Sequence, residues 1–392
     1  MDPISVYVHF PWCLKKCPYC DFVSFAENRD QIDHRGYADA VISELSARRK
    51  SLDGRPLRSV FFGGGTPSLW EPEELGRVLA AILDAAPMQG SEETEITVEC
   101  NPTSLDEERA RALKDAGVNR LSVGVQGLDD RRLKFLGRLH GPNEGLEALR
   151  AALRSGMPRV SGDLIYGAFG APDSEETAAE AAAEARAVAE TGVSHVSAYS
   201  LTIEPGTQFG ELARRGRLPI AREETLVESF LAIEAALGGA GFEHYEISNY
   251  ARPGQESRHN LGYWLGLDYV GLGCGAFGTL GNGDGSAVRY RNKATPRSYM
   301  QAAGAGSITI ESEERLDPET RLRERIMLGL RLRAGLDLEE AAGSLGLRGF
   351  SDERRRAMEK LAKAGRLDIE GSRVRIPKQA WIFADGIAAE LF

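Results

Sequence analysis

Three of the five cysteines in this chain lie within eight residues, in Cys13-Leu14-Lys15-Lys16-Cys17-Pro18-Tyr19-Cys20. The spacing is C-x₃-C-x₂-C. Thiolates are the ligands of iron–sulfur clusters. Three thiolates facing four irons leave one iron without a protein ligand. An open coordination position separates a chemically active metal site from a closed structural one. The alternative is a structural zinc, which needs a fourth ligand such as His9 or His34; the usual second C-x₂-C pair is absent. A disulfide framework is out of place in a long chain with few cysteines. Cys100 and Cys274 are expected to be buried thiols.

A site of this kind needs a scaffold that delivers the cysteines to one place. The cluster motif begins just after the apolar run Ile4-Ser5-Val6-Tyr7-Val8-His9-Phe10. Further strand-like runs are expected over 59–62, 95–99, 120–125, 160–166 and 195–201, and helical patterns over 37–48, 72–83, 105–116, 143–155 and 175–191. Gly117, Gly156 and Gly192 each follow a helical stretch, as terminating glycines do. Six strand–helix alternations predict a parallel α/β architecture, a doubly wound sheet or a partial barrel. In both, ligands bind at the C-terminal ends of the strands. Gly63-Gly64-Gly65-Thr66-Pro67 follows the second strand. Glu99 ends the third, Gln126 follows the fourth and Asp163 lies in the fifth. Arg138 is expected on the helix that follows, where its fork suits a carboxylate.

The remainder is less regular. Residues 206–312 are Gly-rich, include His259-Asn260-Leu261-Gly262-Tyr263-Trp264, and reach a loop tip at 281–285. From 313 the chain turns charged and helical, with helices expected at 338–345 and 351–364 and a hairpin at 368–376, a winged-helix-like order. The net charge of −10 argues against a general nucleic-acid binder. No apolar run approaches a membrane span and no signal peptide is visible, so a cytoplasmic location is expected.

The cysteine spacing resembles that of the radical S-adenosylmethionine superfamily, whose core is a partial (β/α)₆ barrel. The resemblance implies a [4Fe–4S] cluster on Cys13, Cys17 and Cys20, with S-adenosylmethionine chelated at the open iron and cleaved reductively to a 5′-deoxyadenosyl radical. It extends to one branch, the oxygen-independent coproporphyrinogen III dehydrogenases and the heme chaperones related to them. The matching stretches are Tyr7–Cys13, Gly63–Pro67, Glu99 with Pro102, Val123–Gln126, Arg138 and Asp163–Gly167. By that match Tyr7, Tyr19, Gly64, Gly65, Thr66, Glu99, Gln126, Arg138 and Asp163 contact S-adenosylmethionine.

Two features favour the chaperones over the dehydrogenases. Phe22 stands where the dehydrogenase usually carries a further cysteine. His259, Tyr263 and Trp264 match an H-N-x-x-Y-W heme-binding motif, in which an imidazole is a standard axial ligand. Taken alone, such a histidine serves a loop or a cap and such an aromatic pair packs in a core. Beside the cysteine set, the motif is expected to bind heme. Phe169 and Phe277 depart from the family pattern, at positions where proline and histidine are common. The resemblance implies a heme chaperone without coproporphyrinogen oxidase activity that hands heme to hemoproteins, respiratory-chain ones among them. A peripheral membrane association and a homodimer are further expectations. Decarboxylation of coproporphyrinogen III is the alternative.

Overall fold

A computed structural model describes residues 2–86, 94–171, 174–307 and 309–392. Its organising strand is β1 (Ile4–Phe10), in which Ile4, Val6, Val8 and Phe10 are completely buried. Alternate residues of a strand point to opposite faces. The other face of β1 therefore carries Ser5, Tyr7 and His9, which point into the barrel and back the residues that line its cavity.

The strands β2 (Leu57–Gly64), β3 (Glu95–Cys100), β4 (Arg120–Gln126), β5 (Arg159–Tyr166) and β6 (His195–Ser200) lie side by side and parallel in chain order from β1. The helices α1 (His34–Arg48), α2 (Pro72–Ala85), α3 (Glu107–Asp115), α4 (Pro142–Arg154) and α5 (Ala178–Glu190) make the crossovers. This is the expected partial (β/α)₆ barrel. The helix expected from 175 starts three residues later, because Thr177 caps it in a reciprocal box with Glu180 and Ser174–Glu175 pairs with Phe169–Ala171.

The stretch expected to be an irregular extension supplies both flanks of the same sheet. β7 (Glu243–Glu246) and β8 (Asn249–Ala251) add antiparallel beyond β6. On the other side β9 (Tyr269–Leu272) runs parallel to β1, and β10 (Phe277–Gly281), β11 (Ala287–Asn292) and β12 (Ile310–Leu316) continue antiparallel. The sheet has twelve strands in the order β7-β8-β6-β5-β4-β3-β2-β1-β9-β10-β11-β12. A seventeen-residue helix, α6 (Glu223–Gly239), packs beside α5. A shorter one, α7 (Arg258–Trp264), carries the histidine motif.

The main core lies between the sheet's outer face and the helices. At its centre Phe10 stacks on Trp70 (5.1 Å between ring centres) and Tyr37 meets Trp12 edge-on (4.9 Å). A second core, with Leu322, Ile326, Leu361 and Trp381, belongs to the C-terminal domain. There the helices Pro318–Gly329, Leu338–Gly343 and Asp352–Lys363 and a three-stranded sheet complete the expected winged-helix order. Among the described residues no helix is long and apolar enough to cross a membrane.

The β9–β12 flank is tied to the barrel through one buried carboxylate. Glu44 of α1, 2% exposed, accepts from Asn292 Nδ2 (2.8 Å), Tyr299 OH (2.8 Å), Thr309 Oγ1 (2.9 Å) and Gly273 N (2.9 Å), and pairs with Arg48 (2.9 Å). Removing it leaves five polar partners facing an empty space. Glu44→Ala is expected to cost about 3–5 kcal/mol in urea unfolding. Glu44→Gln, which keeps one acceptor, should cost about half as much. An alanine variant within about 1 kcal/mol of wild type would exclude this role for Glu44.

Candidate functional site

The chain leaves β1 at Phe10 and enters the cysteine loop at the C-terminal mouth of the barrel. The loop is closed at its base, where Trp12–Cys13 pairs with Phe25–Ala26 and Glu27 N donates to Cys13 O (2.9 Å). A turn from Cys17 O to Cys20 N (3.2 Å) folds its middle. The Gly63–Pro67 segment crosses directly beneath, with Gly65 N on Phe10 O (2.7 Å) and Thr66 N on Trp12 O (2.8 Å). That approach requires glycine: a Cβ on Gly64, at φ +109°, would lie 2.4 Å from the His9 ring.

Cys13, Cys17 and Cys20 are free thiols, partly exposed, and all three line one cavity of about 450 Å³ inside the barrel. Arg138 Nη1 donates to Cys17 Sγ (3.6 Å), and Ser24 Oγ lies 3.9 Å from Cys20 Sγ. Burial pushes the Cys13 thiol up to about 11, so a metal must displace its proton. His9 cannot supply a fourth ligand. Its Nε2 donates to Val23 O (2.7 Å) and its Nδ1 accepts from Tyr7 OH (2.9 Å). His34 sits at the start of α1, its ring bonded to the backbone of Arg29 and Glu71. Among the described residues no group of three His, Cys, Asp or Glu converges on a single ion. Three thiols lining one cavity offer the donor set of an iron–sulfur cluster.

The cavity also gathers Tyr19, Gly64, Gly65, Thr66, Glu99, Gln126, Arg138 and Asp163. Tyr7 is close behind them, its ring stacked on Phe61 (6.2 Å). Glu99 Oε2 accepts from Gly64 N (3.1 Å). Gln126 is the one non-glycine residue at positive φ (66°) among the described residues, at a bulge in β4. Holding it there costs about 1–3 kcal/mol, the kind of strain that marks ligand sites. Arg138 is not on a helix. The short helix Asp130–Phe135 stops at Gly137 (φ +73°), which packs against Pro18 of the cysteine loop. Arg138 follows in the connection to α4, with Nη2 on Gly124 O (2.8 Å) and a buried Nε that has no partner. A free, buried guanidinium N–H fits a carboxylate ligand. Thr97 Oγ1, on the same wall, is also buried and unpartnered.

Asp163 lies mid-strand, deeper than a strand end. Its carboxylate accepts from Ser197 (2.8 Å), Ser122 (2.8 Å) and Ser161 (3.2 Å). Sequence reasoning overlooked these three serines. Their signal was a hydroxyl residue at an inward position in each of three successive strands.

The H-N-x-x-Y-W segment lies at the opposite end. α7 crosses the N-terminal ends of the strands, roughly one strand length, or about 15–20 Å, from the cysteine loop. His259 N donates to Glu95 Oε1 (3.0 Å), Ser257 N to Tyr245 OH (3.2 Å), and Arg120 reaches both Glu95 (3.5 Å) and Gln255 O (3.0 Å). The His259 ring is 1% exposed and stacks on Phe61 (4.8 Å). The Ser59 hydroxyl donates to Ser5, so His259 Nδ1 donates to Ser59 Oγ (2.9 Å) and Nε2 accepts from Tyr263 OH (3.0 Å). Burial lowers its pKa to about 3 and keeps it neutral. At about 100° per residue Trp264 points roughly 140° away from His259. It faces Arg331 of the C-terminal domain (5.5 Å). The structure thus joins His259 to Tyr263 and separates Trp264 from both.

Burial raises Glu99 to about 7, with Asp163 adding to the rise and the Gly64 N–H opposing it. A raised carboxyl favours the folded state in its protonated form. Its stabilisation is full below the unfolded value of 4.5 and disappears as pH rises through 7. Between pH 5 and 8 the cofactor-free chain should lose of order 2 kcal/mol from this group, after discounting for water in the cavity. Glu99→Gln should flatten that part of the slope. Glu176 and Glu246, also raised to about 7 by burial, keep theirs. Urea midpoints at pH 5, 6.5 and 8 measure it, and an unchanged slope in the variant would exonerate Glu99.

Comparison with known proteins agrees with this architecture. The family model of the radical SAM superfamily matches residues 7–182, and that of the HemN C-terminal domain matches residues 316–383. The heme chaperone HemW of Escherichia coli K12 is 38% identical over 301 residues, covering 77% of this chain and 76% of its own. That of Mycobacterium tuberculosis H37Rv is 34% identical over 391 residues, covering 100% and 95%. The solved structure of E. coli coproporphyrinogen III oxidase, HemN, superposes with a TM-score of 0.80 over 99% of this chain and 90% of its own, at 21% identity, and so shares the fold. Identity of this extent, with the radical SAM family model matching residues 7–182, means that the chain belongs to the heme chaperone HemW family of the radical SAM superfamily.

Proposed function

We propose that this chain is a heme chaperone that binds heme and passes it to apo-hemoproteins, carrying a [4Fe–4S] cluster on Cys13, Cys17 and Cys20 and S-adenosylmethionine beside it. The observation that carries the reading is the convergence of three free thiols and an unpartnered Arg138 N–H on one cavity, in a chain of the HemW family. When bound, a reduced cluster and S-adenosylmethionine supply the means of forming a 5′-deoxyadenosyl radical. The chain's own residues bind and orient. Arg138 offers a fork to the methionyl carboxylate, Glu99 and Asp163 offer carboxyls to cationic groups, and the glycines of 63–65 let backbone come close.

Phe22 keeps the position two residues past Cys20 free of a further thiol. Phe22 is 58% exposed, at the rim of the cavity. This favours transfer of heme over decarboxylation of a porphyrinogen. Recipient hemoproteins, respiratory-chain ones among them, a peripheral contact with the membrane and a homodimer belong to the same proposal.

Anaerobic reconstitution tests the cluster. Wild type should take up iron and sulfide in equal amounts, about four of each per chain. Cys17→Ala should lose most of both while its thermal midpoint stays within a few degrees. The reconstituted, heme-loaded chain should then restore the Soret spectrum of an apo-hemoprotein. Zinc without sulfide in the wild type, or formation of protoporphyrinogen from coproporphyrinogen III, would overturn the proposal.

A further inference from the structure

We propose that His195 and Tyr245 are positioning residues of the cofactor pocket: through Ser161 they orient the Asp163 carboxylate and leave it one free lone pair, which takes a single O–H or N–H donor of the bound cofactor. The inference rests on the S-adenosylmethionine reading and assigns it two residues that act through Asp163.

The residues stand side by side across the sheet. Ser161 of β5 is in register with His195 of β6 and with Ser122 of β4, and Asp163, two residues on, is in register with Ser197 of β6. Residues two apart on a strand share a face. Ser161 and Asp163 therefore both point into the barrel, and with His195 they line its cavity. Tyr245 of β7 meets the His195 ring from behind, with 5.7 Å between ring centres.

The hydrogen bonds among them run in one direction. The Ser257 N–H donates to the Tyr245 hydroxyl oxygen (3.2 Å), so the Tyr245 proton is free for His195 Nε2 (2.9 Å). At the other end an ionised carboxylate only accepts. Ser161 Oγ therefore donates to Asp163 Oδ1 (3.2 Å) and accepts from His195 Nδ1 (2.8 Å). Both ends demand the same form of His195, neutral with its proton on Nδ1. Burial enforces the neutrality: the ring is 2% exposed, and its pKa is held well below the usual imidazole range. The opposite tautomer would set a bare Nδ1 against Ser161 and draw the hydroxyl proton away from Asp163. Tyr245 prevents this, because its hydroxyl keeps Nε2 an acceptor.

The acceptor sites of Asp163 are then nearly all taken. A carboxylate has about four. Oδ1 accepts from Ser161 and from Ser197 (2.8 Å), and Oδ2 accepts from Ser122 (2.8 Å). A single site on Oδ2 remains, so Asp163 serves one ligand donor, and three serines on its two oxygens hold it from turning to another. The chain of bonds starts at Ser257, the N-cap of α7. The orientation of a pocket carboxylate is thus set from the helix that crosses the N-terminal ends of the strands. A histidine that only filled space would need its shape and not its Nδ1 proton, and this separates the two roles by experiment.

The test is equilibrium dialysis of S-adenosylmethionine against the anaerobically reconstituted full chain, with the cluster oxidised so that the cofactor is not cleaved. His195→Leu keeps much of the packing and removes the N–H; it should weaken binding about tenfold, the loss of one hydrogen bond in a network on a charged group. His195→Asn returns an N–H to the Nδ1 position and should recover binding to within about threefold of wild type. Tyr245→Phe should weaken binding about fivefold. It should also move the His195 ring proton from Nδ1 to Nε2, read from the nitrogen-15 shifts of the histidine side chains in the full chain. The role is overturned if His195→Leu binds as wild type does, if His195→Asn is as weak as His195→Leu, or if the wild-type ring carries its proton on Nε2. Should His195→Leu not fold, Tyr245→Phe decides, and unchanged affinity with the proton still on Nδ1 overturns the role. Wild type that carries the cluster but takes up no S-adenosylmethionine brings down the cofactor reading itself.

Discussion

Everything in the barrel depends on the two-sidedness of β1. Ile4, Val6, Val8 and Phe10 face the helices, so Ser5, Tyr7 and His9 must point into the barrel. A slip of one residue would put three polar side chains into the core and four apolar ones into the site, so the register is strongly specified. It is fixed from both sides, with Tyr7 opposite Phe61 of β2 and Gly271 of β9. The exit at Phe10 is thereby immobilised, and Cys13 begins only three residues later. The cysteine loop inherits its position from this strand. It is then clamped by backbone bonds to Gly65 and Thr66 and by the His9 ring on Val23.

The same arrangement sets the electrostatics of the interior. A parallel sheet covered by helices on one face shields its inner face from bulk water, and carboxyls held there resist ionisation. Glu99 and Asp163 are both raised by burial. The protein moderates the cost with a layer of serines and one backbone N–H, and among the described residues no cation lies at hydrogen-bonding distance of either group, although Arg120 opposes the rise at Asp163 from further away. On the next level down it does the opposite, setting Arg120 against Glu95. The upper level is therefore receptive to a ligand that brings positive charge, while the lower level is already neutralised.

Much of this was legible in the sequence. The six parallel strands stand within one or two residues of their expected positions, because a strand buried on one face and lining a cavity on the other keeps a strongly apolar alternation. The cysteines were legible through spacing alone. Arg138 was misplaced by one structural step, since nothing local shows that Gly137 must end its helix against Pro18. The flanks of the sheet were illegible for a different reason. β7 to β10 are only three to five residues long, and β12 is charged and almost entirely exposed. Their membership in the sheet is decided by pairing with distant strands and by the Glu44 hub, neither of which leaves a local pattern. The helix Glu223–Gly239 escaped because its apolar residues follow no narrow stripe. His259 was recognised as a motif but not as a buried residue: helical spacing pairs it with Tyr263 and turns Trp264 to another surface.

The lower level also holds a helix in place. A buried ion pair such as Glu95–Arg120 is weak evidence of stabilisation, since desolvation consumes much of its attraction. What it does provide is position. Glu95 accepts from the His259 N–H in the first turn of α7, and Arg120 holds Gln255 O just before it, so the helix cannot drift off the ends of the strands. With α7 fixed there, its N-cap Ser257 and its Asn260 line the same cavity as Cys13, Cys17 and Cys20, so the helix that closes one end of the barrel also contributes polar groups to the wall that the cysteine loop completes at the other.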